Sequence, residues 1–160
     1  MPMPAEYQQA GPCFDAFLVD VRDACELGSR HQAYTTAQGA FQVFRRRLAL
    51  ADAIRFAAAL PGLARALFVA EWDPTEPRRE FAPRVALEAE VRALRPLHNF
   101  APDGAIGHVA WALWRHADVA ALARVLGELP PPAWDYWRTD DESSAARATA
   151  RRALGPALAP

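Results

Sequence analysis

The chain has 160 residues, enough for one domain or for two small repeated units that share a core. Its 18 basic residues are balanced by 19 acidic ones, which argues against a dedicated nucleic-acid binder, since that class needs positive charge to neutralise phosphates. No apolar run approaches the roughly 20 residues of a membrane-spanning helix. The N-terminal segment lacks the basic and then apolar pattern of a signal peptide, and so we expect a cytoplasmic protein without membrane contact.

The basic residues are all arginine, and this bias, together with many alanines and prolines, is typical of a GC-rich bacterial genome. Two cysteines are present, Cys13 and Cys25. If both lie on one helix, twelve positions separate them by about 18 Å, which is too far for a disulfide. We therefore interpret them as reduced thiols.

The first half of the chain is predicted to be helical after a flexible leader at residues 1–11. Apolar residues at helical spacing alternate with breaks at glycine and proline. They predict four helices: one from Pro12 to Gly28, one over 32–48, one over 52–60 that Asp52 caps, and one that begins at Pro61. The polar, proline-broken segment 71–80 follows as the midpoint of the chain.

The second half repeats this pattern of amphipathic helices. Four more helices are predicted: one with Phe81, Val85 and Leu94 buried, one over 103–116, one over 118–129 that Asp118 caps, and a short one at 134–137. Beyond Trp137 the chain lacks large apolar residues apart from two leucines. Segment 138–160 is therefore predicted to be a polar tail, either a frayed helix or disordered. No strand is predicted, since alternating apolar residues never persist.

The two halves share a Leu-Pro joint between helices. The stretches ADAIRFAAALP (51–61) and ADVAALARVLGELP (117–130) both begin with Ala-Asp and end with Leu-Pro. Proline pushes the residue before it out of helical dihedrals, and it can begin the next helix without losing a needed hydrogen bond. We expect Leu60 and Leu129 to be anchored in the core beneath each break.

These observations predict an all-α fold, a compact multi-helix bundle of two pseudo-repeated units with about eight helices. The first unit covers residues 12–72 and the second covers 73–137, and the two form one domain. Self-similarity of this kind indicates units that cannot bury their apolar faces alone and that cover each other.

The motifs also resemble a known bacterial family, domain of unknown function 2267, over about residues 14–137. They are AYTTAQGAFQVFRRRL and ALPGLARALF in the first unit, and REFAPRV and ELPPPAWDYW in the second. The resemblance implies an all-helical fold of tandem units. It implies no activity and no catalytic residues.

No pattern for catalysis or metal binding emerges from the residues. His108 and His116 are eight positions, or about 12 Å, apart on one helix, which is too far to share a metal unless His98 assists. The serines have no obvious base beside them, and the carboxylates of 71–80 indicate a solvated linker with local ion pairs. FRRRL at 44–48 is interpreted as a solvated helix end. We predict no catalytic residue, no metal and no cofactor.

The tryptophans are the remaining candidates for function. Trp111 and Trp114 share a helix face, which is core if it packs on the last short helix and a partner surface if it is exposed. The leading hypothesis is a non-enzymatic protein-interaction or scaffold module that binds a protein partner or itself. The alternative is a small-ligand or cofactor site between the units, lined by Trp111, Trp114, His108 and Trp137. An enzyme of unrecognised type is a third possibility.

Overall fold

The computed structural model describes residues 1–94, 97, 101–139 and 141–153, and the regular structure of these residues is entirely helical. The helices are α1 (Ala5–Gln8), α2 (Ala10–Ala24), α3 (Arg30–Arg45), α4 (Leu50–Ala58), α5 (Gly62–Val69), α6 (Arg84–Ala93), α7 (Ala105–His116), α8 (Val119–Glu128), α9 (Pro131–Tyr136) and α10 (Asp141–Ala153). They form a compact bundle, which confirms the predicted all-α class. Within the described part of the chain, none of these helices has the length and apolarity needed to span a membrane.

Side-chain caps explain the starts of two helices, and one predicted cap is not observed. Ser29 accepts a hydrogen bond from the Gln32 amide at the start of α3, and Asp118 accepts one from the Ala121 amide at the start of α8, as predicted. Asp52 does not cap α4, because that helix already begins at Leu50. Its carboxylate lies instead in the first turn, where it complements the helix dipole.

The fifth predicted helix is shorter than expected. It begins at Arg84, after Pro83, and its buried residues are Leu87 and Val91. Val85 was predicted to be buried, but its side chain is exposed. The sequence therefore predicted the wrong buried face for α6, since a single apolar residue at the start of a helix does not determine which face packs against the core.

Both Leu-Pro joints have the predicted geometry. Leu60 and Leu129 are 2% and 6% exposed, so each is anchored in the core. Pro61 and Pro130 have nearly equal backbone angles (φ −55°, ψ 152° and φ −53°, ψ 143°), and each immediately precedes a new helix. Helices α4 and α8, which lead into the joints, also pack against each other. The division of the chain into two repeated units stays a prediction.

The centre of the core is an aromatic cluster built from both halves of the chain. The end of α9 contributes Tyr136 and the residue that follows it, Trp137, and the first half contributes four phenylalanines: Phe41, Phe44, Phe56 and Phe68. The Trp137 ring centroid lies 5.3 to 5.6 Å from those of Phe44, Phe56 and Phe41. Tyr136 donates its hydroxyl to the Ala40 carbonyl at 2.6 Å, and burial raises the pKa of that hydroxyl. The end of α9, in the second half of the chain, therefore packs into a core formed by the first half.

The arginine run at 45–47 is not a solvated helix end, as the sequence analysis expected. Arg45 is 6% exposed and donates to the carbonyls of Phe68, Ala70 and Glu71, at 2.8, 2.8 and 3.2 Å. These carbonyls lie at and beyond the end of α5, where no intrahelical donor reaches them. The guanidinium thus caps a neighbouring helix, and burial lowers its pKa.

Glu90 gathers the next arginines into one ion cluster between α3 and α6. Its two carboxylate oxygens accept from Arg47 at 2.6 and 3.0 Å, and one of them also accepts from Arg46 and Arg79. Burial opposes ionisation of Glu90, but the surrounding guanidinium groups outweigh it and lower the pKa of this carboxyl. Because the Arg47 side chain is only 5% exposed, it depends on this carboxylate for compensation.

A second ion cluster holds the C-terminal helix. Asp20, on α2, contacts Arg115 and His116 at the end of α7 and Arg152 on α10. Burial by itself would raise the pKa of Asp20. The hydrogen bonds from these three basic side chains outweigh burial and lower it to about 2. This carboxylate therefore ties together three helices.

Helix α10 resolves the two alternatives that the sequence left open for residues 141–153. This segment packs on α2 and α7 as a helix, with Ala148 1% exposed, and Arg147 donates to the Ala24 carbonyl at 2.7 Å. Small residues and arginine contacts hold this helix, and they take the role that large apolar side chains have in the other helices. Apolar periodicity alone therefore did not reveal it. Leu154 and Leu158 lie outside the described residues.

Replacing Glu90 with glutamine should strongly destabilise the fold, since the buried Arg47 cation would lose its charge partner. We expect the free energy of unfolding to fall by about 3 kcal/mol in urea denaturation. The control is Glu128→Gln, which breaks the exposed pair with Arg55 and should cost less than about 0.5 kcal/mol. Equal effects of the two substitutions would contradict the assigned role of Glu90.

The Asp20 cluster should make stability depend on pH in the acid range. Since the pKa of Asp20 is lower in the folded state, its contribution is complete above about pH 4 and is lost as the pH falls toward 2. The difference in unfolding free energy between the wild type and Asp20→Asn should therefore shrink by about 2 kcal/mol over that window. Urea titrations at several pH values measure this difference.

Asp15→Asn provides the matched control. Asp15 lies on the same helix as Asp20, but its ion pair with Arg30 is exposed. Its substitution should change stability little throughout the same pH range. A constant difference between Asp20→Asn and the wild type would show that the Asp20 cluster does not stabilise the fold.

Candidate functional site

An exposed aromatic surface lies where α7, α8 and α9 meet. A cavity of about 350 Å³ opens there, and we call it the tryptophan groove; its lining residues are Trp114, Val119, Trp134, Trp137, Arg138 and Thr139. Trp134 is 44% exposed and Val119 is 57% exposed. The groove is thus a mainly apolar surface that the other described residues leave open to solvent.

Two contacts fix the walls of the tryptophan groove. The Trp114 indole N–H donates to the Trp137 carbonyl at 2.9 Å, which joins α7 to the end of α9. The Trp114 and Trp134 rings meet edge to face, with their centroids 6.2 Å apart. Because Trp137 is anchored in the aromatic core, Trp114 is held in a single orientation beside the exposed ring.

The structure brings together only part of the predicted ligand site. Trp114 and Trp137 both line the tryptophan groove, but Trp111 and His108 do not. Trp111 is 6% exposed and packs its ring under the Arg115 guanidinium, 4.9 Å from the ring centroid. Trp111 is therefore core, although it lies only three residues before Trp114 on the same helix.

His108 lines a separate, polar cavity of about 510 Å³ between α6, α7 and α10. We call this cavity the arginine cleft, after Arg84, Arg138 and Arg147, which line it together with Glu88 and Ser144. Arg138 and Thr139 border both cavities. The residues proposed from sequence as one site thus face two neighbouring cavities of opposite character.

The arginine cleft contains a serine and histidine pair that the sequence analysis missed. Ser144 Oγ lies 2.8 Å from His108 Nδ1, and both side chains are buried. The two residues are 36 positions apart in the chain, so the sequence shows no base close to this serine. Ser144 has no solvent exposure, so its hydroxyl has no open face from which to attack a substrate. The pair instead fastens α10 to α7.

Two other titratable residues that the sequence offered as candidates, His116 and Glu76, form structural contacts. His116 Nε2 lies 2.6 Å from Asp20, and Glu76 in the central connection pairs with Arg46 and Arg79. In the described part of the chain, no three His, Cys, Asp or Glu side chains are grouped so as to hold a metal ion. His98, which was considered as a third metal ligand, lies outside the described residues.

Another cavity, of about 340 Å³, lies at the first Leu-Pro joint between the two predicted units. Cys13, Leu60, Arg65 and His116 are among its lining residues, and it includes none of the tryptophans. Cys25 is buried elsewhere, and burial raises the pKa of its thiol to about 12, so it is an unreactive thiol at neutral pH.

Comparison with known proteins identifies a family for this chain but no activity. No curated protein matches the chain. The sequence profile of the family described as "Uncharacterized conserved protein (DUF2267)" matches residues 14–136. This range runs from α2 to the end of α9, and it contains both Leu-Pro joints and the exposed Trp134. Because the match covers most of the chain, as the motifs of both halves predicted, the protein belongs to the DUF2267 family.

Proposed function

We propose that this protein is a non-enzymatic protein-interaction module. In this proposal the tryptophan groove holds an apolar side chain of a partner segment that carries an acidic residue beside it. The observation that carries the proposal is the exposed Trp134 ring, which contacts the fixed Trp114 ring in a groove that Arg138 also lines.

The aromatic walls supply the affinity in this proposal. Burying apolar surface is worth about 25 cal/mol per Å², and tryptophans are the residues most enriched at binding hot spots. Trp114 is already held by its hydrogen bond to Trp137. Little side-chain entropy is therefore lost when a partner binds against it.

Arg138 supplies the preference for an acidic partner. Its side chain is exposed and forms no ion pair with any carboxylate that the structure describes. A carboxylate on the partner would gain a charge-assisted hydrogen bond at the edge of the groove, which also favours one orientation of the segment. The chain as a whole carries a net charge of −1, so this preference is local to the groove.

The geometry favours this function over the small-ligand site predicted between the two units. That site required Trp111 and His108 to share one cavity with Trp114 and Trp137, and they do not. The proposal retains the expected cytoplasmic location. The two unbridged thiols support this location, since a reducing compartment keeps cysteines free.

Peptides selected from a random displayed library should reveal the proposed specificity. We expect the selected peptides to share a large apolar residue close to Asp or Glu. Trp134→Ala should weaken their binding by about tenfold or more, since truncating a tryptophan anchor removes a hot spot. Arg138→Glu should weaken binding through charge repulsion. Fluorescence polarisation with labelled peptides measures both effects.

Ile54→Ala is the control for this experiment, because Ile54 is 60% exposed on α4 and does not line the groove. This substitution should leave the affinity unchanged. Binding that survives Trp134→Ala would contradict the proposal. A dimer in light scattering that Trp134→Ala dissociates would instead identify a second copy of the chain as the occupant.

A further inference from the structure

Among the described residues, more arginine than carboxylate side chains line the arginine cleft. Two carboxylates line it, and both are engaged: Glu88 accepts from the Gly104 amide at 2.9 Å, and Asp103 pairs with Arg92 at 2.9 Å. Arg147 has its own partner, because it pairs with Glu26 at 3.0 Å. The charges of the other two lining arginines, Arg84 and Arg138, remain to be accounted for.

Arg84 is held in place without a carboxylate. Its Nη2 donates to the Asp135 carbonyl at 2.8 Å, and its guanidinium carbon lies 5.8 Å from the centroid of the Tyr136 ring. The other terminal nitrogen, Nη1, is buried and has no hydrogen-bond partner among the described residues. A buried donor without a partner is costly, and such groups in native structures call for an explanation.

Arg138 adds a second cation to the same cleft. It forms no ion pair within the described part of the chain, and its charge acts against that of Arg84. Burial lowers the pKa of Arg84; the charge of Arg138 adds to this shift, and the nearby Glu88 and Asp135 carboxylates oppose it without outweighing burial. Two like charges that face one cavity are stabilised when an anion lies between them, and a guanidinium binds phosphate or carboxylate oxygens with parallel hydrogen bonds.

The cleft also has room for a ligand. Its volume of about 510 Å³ lies within the range of small-molecule sites, which is roughly 300 to 1,000 Å³. At Gly107, on the α7 wall, no described atom lies within 4 Å of the position that a β-carbon would take, apart from its chain neighbours and the backbone of its own helix. A side chain at this position would therefore extend into open space.

We propose that the arginine cleft binds a small molecule through a phosphate or carboxylate group held between Arg84 and Arg138. The cleft satisfies the chemistry of an oxyanion site. Two forked donors that pair with no described carboxylate lie beside an open cavity, and one of them has a buried N–H that no described residue accepts. This inference goes beyond the protein-interaction function, and the two proposals share Arg138. It rests on Arg84 and on the polar cavity, whereas that function rests on Trp134.

Isothermal titration with inorganic phosphate, phenyl phosphate and succinate, at constant ionic strength, tests the proposal. The purified full chain should bind at least one of these probes saturably at submillimolar concentration. Arg84→Met and Arg138→Met should each weaken that binding by about tenfold, because each removes a charged hydrogen-bond donor. Preference for the two phosphates over succinate would identify a phosphorylated ligand, and the reverse would identify a carboxylate.

Two further variants separate a bound anion from general charge effects. Arg30→Met removes an exposed arginine on α3 whose partner is Asp15, and it should leave binding unchanged. Gly107→Gln fills the open space without removing a charge and should weaken binding, whereas Gly107→Ala should weaken it much less. Circular dichroism and urea denaturation establish that each variant is folded.

The proposal is overturned if no probe binds saturably at millimolar concentration. It is also overturned if Arg30→Met weakens binding as much as Arg84→Met does, since that result would indicate general screening. Trp134→Ala should leave anion binding intact, and Arg84→Met should leave the binding of selected peptides intact. The failure of one proposal is therefore distinguishable from the failure of the other.

Discussion

The burial of Trp137 and Tyr136 among the phenylalanines of the first half is the packing on which the rest of the molecule depends. Helix α9 has only six residues, too few to be stable alone, and its position is fixed by these two side chains. Once they are anchored, Trp134 is left at the surface and Trp114 receives a fixed carbonyl acceptor. The tryptophan groove is thus a direct consequence of how the core is closed.

Ion pairs and charged hydrogen bonds supplement apolar packing in holding the helices together. Many of the helices are short, and alanine is a common core residue, so the apolar area that each contact buries is modest. Arg45, Arg47 and Glu90 add directional contacts between elements distant in sequence. Arg45 reaches three carbonyls at once, which the compact ammonium of lysine does less well than a planar fork. The all-arginine composition, interpreted first as a genomic bias, is therefore also used structurally.

The two cavities differ because the surrounding helices present different chemistry on either side of Arg138. Around the tryptophan groove, α7, α8 and α9 present indole rings and a valine. In the arginine cleft, α6 and α10 present guanidinium groups beside the buried pair of His108 and Ser144. Positions three apart on a helix differ by about 60° in direction, so His108, Trp111 and Trp114 diverge into the cleft, the core and the groove.

The sequence by itself determined the helical class, most helix positions, both Leu-Pro joints and the family, because these depend on residues within a few positions of one another. Helical periodicity, an Asp118 cap and the proline break are local effects. Only the tertiary structure decided that Arg45 and Arg47 are buried, that α10 packs on α2, that Val85 faces solvent and that Ser144 meets His108. Those outcomes depend on which distant surfaces pack together, and the free energy of such contacts is not encoded in the spacing of neighbouring residues.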